Sequence, residues 1–231
     1  MPKRGNSMSM RDNLDISAYL VLGPENTLGR PVADVVAQAV AAGFTCVQVR
    51  SKECSARELI SCTAQASEVI RQAGAQDRVA LLIDDRLDAV YAARQQGIKV
   101  DGVHVGQSDE SCASARARLG EGAIVGVSAQ TVEQALAAQA AGADYLGVGA
   151  LFKTATKPEA ADVSLRTLRE ICAAVSIPVV GIGGLNASTL ASLAHTGVHG
   201  AAVVSAIFAA GDIVSATRDL RRIMDGVDLL V

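Results

Sequence analysis

Four times in this chain a helical, alanine-rich stretch closes on a glycine one or two residues before a β-rich run. Ala41-Ala42-Gly43 precedes Phe44-Thr45-Cys46-Val47, and Gln95-Gln96-Gly97 precedes the run at Val100. Ala140-Ala141-Gly142 precedes Ala143-Asp144-Tyr145, and His195-Thr196-Gly197 precedes Val198. Glycine just past a helix is the usual left-handed cap, so each of these points reads as helix end, then strand. Strands that alternate with helices imply a parallel sheet, because each crossover returns along the sheet face. The pattern predicts strands near 18–22, 44–50, 79–84, 101–105, 123–128, 143–149, 177–181 and 200–204. It predicts helices near 32–42, 55–73, 86–96, 111–119, 131–141, 165–174, 187–195 and 213–224. Eight of each favours a closed single-domain (β/α)8 TIM barrel, although periodicity alone leaves an open doubly wound sheet in play.

The bulk properties agree. A length of 231 residues fits one barrel, and half the residues are hydrophobic, enough for a large core. The net charge of −3 and an aromatic content of 3% without Trp argue against a nucleic-acid surface or a base-stacking platform. Cys46, Cys54, Cys62, Cys112 and Cys172 are odd in number and lack zinc-type spacing, so they read as thiols of a reducing, cytoplasmic compartment. No apolar run reaches the roughly 18 residues of a membrane span. Residues 1–16 carry Lys3, Arg4 and Arg11 without an apolar core, which makes them a flexible tail instead of a secretory signal, with the barrel over 17–231. The oligomeric state is not legible, and a homo-oligomer is compatible with the chain.

In a barrel, chemistry gathers where strands end and βα loops begin. Strand 2 ends Gln48-Val49-Arg50-Ser51-Lys52, whose polar members have period two and so share a face. Strand 3 ends Ile83-Asp84-Asp85-Arg86, and strand 4 leads into His104-Val105-Gly106-Gln107-Ser108-Asp109. Asp85 and Asp109 are candidates to share a hard cation, since magnesium takes one or two carboxylates plus phosphate oxygens. Helix capping is the competing reading of both, and the one these residues favour on their own. His104 faces away from Val103 and Val105 and reads as a packed, hydrogen-bonded histidine. Strand 5 supplies Ser128, and the 150–163 loop carries Thr154, Thr156 and Lys157, hydroxyls and an ammonium suited to an anion. Pro178-Val179-Val180-Gly181-Ile182-Gly183-Gly184-Leu185 and Gly200-Ala201-Ala202-Val203-Val204-Ser205 are two late turns of the kind that bind phosphate, the first leading to a helix capped by Asn186 or Ser188. No Ser-His-Asp set or dinucleotide fingerprint is present. The face suits phosphate or pyrophosphate charge better than a protein nucleophile.

These pieces, in this order, resemble the thiamine phosphate synthase family. They are Gln48-Val49-Arg50-Ser51-Lys52, Ile83-Asp84-Asp85-Arg86, Gly102–Asp109, Gly126-Val127-Ser128, Ala143–Gly149, Thr154-Ala155-Thr156-Lys157, Gly181-Ile182-Gly183-Gly184 and Val204-Ser205-Ala206-Ile207, spread over residues 18–224. The resemblance implies a (β/α)8 barrel that joins 4-amino-2-methyl-5-hydroxymethylpyrimidine diphosphate to thiazole phosphate. It implies a dissociative substitution in which pyrophosphate leaves before the thiazole nitrogen attacks. Gln48, Arg50 and Lys52 would hold the pyrimidine diphosphate, with Asp84 beside them. Asp85 and Asp109 would bind Mg²⁺, and Ser128 and Lys157 would contact pyrophosphate. Thr154, Thr156, Gly184, Val204 and Ser205 would line the thiazole phosphate side. Arg50, Lys52, Ser128 and Lys157 are the residues it makes catalytic.

The chain departs from the family pattern at Asp84, where Asn is usual, at Gln130, where His is common, and at Ala150 and Phe152, in place of Pro and Tyr. An extra anion at 84 would repel pyrophosphate unless it becomes a metal ligand or is neutralised, and Lys153 is the candidate partner for neutralisation. Two rivals share the barrel: a thiazole tautomerase-like relative, which would lack the Arg50/Lys52 and Asp85/Asp109 sets, and a non-catalytic thiamine-precursor binding protein. A generic sugar-phosphate isomerase barrel is the fold-level fallback.

Overall fold

The computed structural model describes residues 9–152, 163–208 and 210–226. Eight strands close into one parallel barrel in chain order, β1 to β8, with β8 pairing back onto β1. The strands are β1 Ala18–Leu22, β2 Cys46–Val49, β3 Ala80–Asp84, β4 Gly102–Val105, β5 Ile124–Ala129, β6 Tyr145–Val148, β7 Val179–Ile182 and β8 Gly200–Val203. The helices are α1 Val32–Ala41, α2 Ala56–Gln72, α3 Leu87–Gln95, α4 Cys112–Leu119, α5 Val132–Ala140, α6 Leu165–Ala174, α7 Ser205–Phe208 and α8 Ile213–Gly226. Ser55, Ser111, Thr131 and Ser164 each cap the N-terminus of the helix that follows, accepting a hydrogen bond from a backbone N–H three residues on.

Alternation along each strand divides the side chains between two cores. Val47, Val49, Leu81, Ile83, Val103 and Val105 point outward and pack under the helices. Tyr19, Val21, Cys46, Ala80, Leu82, Ile124, Tyr145, Val180 and Ala202 fill the barrel interior. The same phase that sends Val103 and Val105 outward turns His104 inward.

One expected element is different. The segment 187–195 is not an α-helix; a single 3-10 turn at Leu190–Leu193 takes its place. Asn186 Oδ1 accepts from the Ser188 backbone N–H at 2.9 Å and from its hydroxyl at 2.6 Å, and the Asn186 N–H donates to Thr189 Oγ1 at 2.9 Å. These side-chain bonds compete with a helical ladder and hold the segment in i→i+3 turns. The short α7 after β8 is an addition that the sequence pattern does not announce. Of the segment 1–16 expected as a tail, residues 9–16 lie on the strand N-termini: Met10 and Leu14 pack against the interior core, and Arg11 Nε donates to Asp144 at 2.6 Å.

Candidate active site

The strand C-termini open into one cavity of about 260 Å³. Gln48, Arg50 and Lys52 enter it from β2 and its extension, Asp84 and Asp85 from β3, Asp109 from the β4 loop and Ser128 from β5. Gly184, Val204 and Ser205 close the opposite side. Every described residue expected at the site therefore lines one pocket. Thr154, Thr156, Lys157 and Lys153 lie outside the described residues.

Polar groups inside a barrel need partners, because water is excluded. Here they satisfy one another in a chain across the pocket floor. Arg50 Nε meets Asp84 Oδ2 at 3.0 Å, and Gln48 Nε2 donates to Asp84 Oδ1. Tyr19 Oη donates to Gln48 Oε1 at 2.6 Å and lies 2.7 Å from Tyr145 Oη. His104 Nδ1 is 2.9 Å from Tyr145 Oη, and His104 Nε2 is 3.0 Å from Ser128 Oγ. Burial pushes both phenols well above the usual tyrosine range, so both keep their protons. Two glycines make room for the rings. A Cβ on Gly126 would fall 2.2 Å from Tyr145 Cζ, and one on Gly147 would fall 2.9 Å from His104 Cε1.

The extra anion at position 84 is thus neutralised from β2 by Arg50; the expected partner, Lys153, lies outside the described residues. His104 is packed and hydrogen-bonded, as its lone apolar-flanked setting suggests. Tyr19, which lines the pocket, and Tyr145, buried beneath it in the same hydrogen-bond chain, are the residues that sequence reasoning missed. Their signal is phase: Tyr19 lies two residues before Val21, and Tyr145 two before Gly147, on strands whose inward set ends in the pocket.

Asp85 and Asp109 form the second feature. The capping reading is overturned for both. The residue preceding α3 is Arg86 and that preceding α4 is Ser111. Asp85 instead sits at φ +58°, a left-handed turn that Asp tolerates, with its N–H donating to His104 O at 2.7 Å. Asp109 Oδ2 accepts from the Gly106 N–H at 3.1 Å. Burial first, and then the neighbouring Asp109, raise the Asp85 carboxyl above its ordinary value, with the Gly106 N–H and then Lys52 opposing. Two carboxylates held together against their repulsion suit a hard cation, and magnesium takes one or two carboxylates while water and phosphate fill its remaining positions. Among the described residues no group of three or more His, Cys, Asp and Glu assembles.

On the far side, Gly183 (φ +99°) and Gly184 (φ +65°) turn the chain out of β7. The Leu151 and Phe152 N–H groups donate to Ile182 O at 3.0 Å and Gly183 O at 3.1 Å, which pins the start of the β6 loop to this turn. Gln130 Nε2 donates to Gly149 O at 3.4 Å, so this side chain ties two strand ends together.

A closed parallel barrel whose strand ends converge on cations, paired carboxylates and a hydroxyl defines a (β/α)8-barrel enzyme. A family model, thiamine monophosphate synthase, matches residues 18–207. The chain is 44% identical over 214 residues to the thiamine-phosphate synthase of Ruminiclostridium cellulolyticum, covering 93% of this chain and 98% of that one. It is 41% identical to the thiamine-phosphate synthase of Moorella thermoacetica, covering 89% and 94%. The solved thiamine phosphate pyrophosphorylase from Pyrococcus furiosus superposes with a TM-score of 0.79 at 32% identity, covering 94% of this chain and 98% of that one. A 3-hexulose-6-phosphate synthase at 17% identity and a TM-score of 0.61 shares the fold alone. The chain belongs to the thiamine monophosphate synthase family and is a transferase of thiamine biosynthesis.

Proposed function

We propose that this chain joins 4-amino-2-methyl-5-hydroxymethylpyrimidine diphosphate to 4-methyl-5-(2-phosphoethyl)thiazole, or its carboxylated form, giving thiamine phosphate and pyrophosphate. The observation that carries this reading is the convergence, in one cavity, of Gln48, Arg50, Lys52 and Ser128 with the Asp85/Asp109 pair. Departure of pyrophosphate concentrates negative charge, and a site of fixed cations and donors lowers that barrier without a protein nucleophile. Gln48, Arg50 and Lys52 hold the diphosphate, with Asp84 beside the pyrimidine. Ser128 and Lys157 meet the leaving group, while Thr154, Thr156, Gly184, Val204 and Ser205 hold the thiazole phosphate. Asp85 and Asp109 would hold Mg²⁺, which supplies charge neutralisation for the pyrophosphate oxygens. Binding both substrates in one closed pocket orients the thiazole nitrogen toward the methylene carbon. The pyrimidine stabilises positive charge at that carbon as pyrophosphate leaves, which makes the substitution dissociative. The barrel over 17–231 is one functional unit with 1–16 as its head. All five cysteines are free thiols, which supports a reducing, cytoplasmic setting. Among the described residues no helix is long and apolar enough to cross a membrane.

The test is to incubate protein with both substrates and Mg²⁺, then with a chelator, and follow thiamine phosphate. Product that requires both substrates and the metal is expected, and Asp85→Ala and Asp109→Ala should each lower kcat/KM by about a hundredfold or more, the loss typical of removing one charge-stabilising partner. Binding of both substrates without turnover by folded protein would overturn the synthase reading in favour of a precursor-binding protein.

A further inference from the structure

We propose that Asp84 sets the direction of the hydrogen-bond chain across the pocket floor and thereby holds the Ser128 hydroxyl proton on His104. The argument is a proton count along contacts already given. An ionised carboxylate only accepts, and Asp84, 9% exposed and 3.0 Å from the Arg50 guanidinium, is held in that form. Gln48 must therefore turn its amide NH₂ toward Asp84 and its Oε1 toward Tyr19. Oε1 has no proton, so Tyr19 spends its one proton there. At the Tyr19–Tyr145 contact, Tyr145 is then the donor. With that proton spent, the Tyr145 oxygen faces His104 Nδ1 as an acceptor, so Nδ1 carries the ring proton. A neutral imidazole protonated at Nδ1 has a bare Nε2, which accepts from Ser128 Oγ at 3.0 Å.

Among the contacts named above each link has one free choice, and Asp84 makes it for all of them. A neutral amide at this position, as in Asp84→Asn, reverses the order. Arg50 can only donate, so the amide would give it the carbonyl and give its NH₂ to Gln48 Oε1. Gln48 would then donate to Tyr19, Tyr19 to Tyr145, Tyr145 to His104 Nδ1, and His104 Nε2–H to Ser128. Asp84 is thus a positioning residue acting on Ser128 through four side chains. Its consequence for the reaction rests on the functional reading above. With the serine proton committed to His104, the Oγ lone pairs face the cavity, and a pyrophosphate oxygen gains that hydroxyl only when Ser128 releases His104. The claim about His104 itself stands without that reading.

The test is ¹⁵N NMR of the histidine side chains in the full-length protein, whose three histidines are His104, His195 and His199. His104 signals are assigned by their loss in His104→Asn. The parent is expected to carry its proton on Nδ1. Asp84→Asn and, independently, Tyr19→Phe, which returns the Tyr145 proton to His104, should move the ring proton to Nε2. The tautomer ratio should change by about fivefold or more, the bias of one net hydrogen bond. Adding Asp84→Asn to Tyr145→Phe should produce no further change, because the chain is already cut. Loss of packing alone would not reverse a tautomer. A parent protonated at Nε2, an imidazolium, a tautomer unmoved in folded Asp84→Asn, or one unmoved in Tyr19→Phe would overturn the proposal. If Asp84→Asn does not fold, Tyr19→Phe decides, and neither outcome depends on turnover.

Discussion

Gly126→Ala should be among the most damaging single-methyl additions to this barrel. Gly126 is the register partner of Tyr145 on the neighbouring strand. Its added Cβ would sit 2.2 Å from Tyr145 Cζ and 2.4 Å from Oη, well inside the 3.5–4.0 Å of carbon–carbon contact. The tyrosine is wholly buried and is flanked by Tyr19 at 5.9 Å and His104 at 5.5 Å between ring centroids, so it cannot swing aside without disturbing both. Overpacking costs about 1–3 kcal/mol. Displacing the Tyr145 hydroxyl from Tyr19 and His104 adds about 1 kcal/mol for each hydrogen bond. The sum is roughly 3–5 kcal/mol, or about 10 °C in Tm for a chain of this size. Urea unfolding reads it directly, with Gly122→Ala as the control, since nothing lies within 4 Å of a Cβ there. In the double variant with Tyr145→Ala the clash has no object, so the combined loss should fall short of the sum by about 1 kcal/mol or more. A Gly126→Ala protein within about 0.5 kcal/mol of the Gly122→Ala control would refute the packing argument.

Two further outcomes follow from the same geometry. The raised Asp85 value means that the folded protein keeps a proton which the unfolded chain, with its ordinary value of 3.8, releases first. Stability therefore falls as pH rises from 3.8 through the folded-state value, and Asp85→Asn should unfold at higher urea than the parent at pH 7 without metal. That advantage should vanish below pH 3.8, and added Mg²⁺ should close the gap by stabilising only the parent; a parent more stable than the variant in chelator at pH 7 would contradict the repulsion. Arg50→Met and Lys52→Met should both lower activity but differ in stability. The first takes the guanidinium from a carboxylate 9% exposed and should cost roughly 3 kcal/mol, while the second removes an exposed cation and should stay within about 0.5 kcal/mol by urea midpoint.

The sequence carries the barrel because its helix-stop glycines and period-two strands are local signals. The eight strands fall where that pattern puts them, within one to two residues at most ends. The helix at 187–195 fails for a local reason of its own: Asn186, Ser188 and Thr189 offer the backbone side-chain partners that a helix would have to displace. The pocket lining was legible where a charged or hydroxyl side chain stood at a strand end without a competing role, as at Arg50, Lys52 and Ser128, whereas Asp85 read at least equally as a helix cap. It was not legible at Tyr19 and Tyr145, because a tyrosine inside a strand is also an ordinary core residue. Only closure of the barrel shows that residues 126 positions apart share a hydrogen bond. The same limit explains Asp84. Its anion looked like a defect beside a diphosphate until the register placed it against Arg50 and Gln48.

The two ends of the barrel treat their carboxylates differently, and the difference separates stability from function. At the strand N-termini, Asp144 receives Arg11 at 2.6 Å, Arg116 at 2.5 Å and the Val125 N–H at 2.7 Å. Asp101 there receives Lys99 at 2.6 Å and the Leu81 N–H at 2.8 Å. Both anions are matched by a cation and by a backbone donor from another strand, which ties the barrel together. At the strand C-termini the arrangement inverts: Asp85 faces a second carboxylate, and its partial burial and that neighbour work against ionisation. Such a placement is costly for an apoprotein, and it is the cost that the Mg²⁺ proposed above would relieve. Asp84 stands between these extremes, paired with a cation and also lining the pocket. That double position lets one carboxylate hold a cation of the site while it orders the hydrogen bonds beneath it.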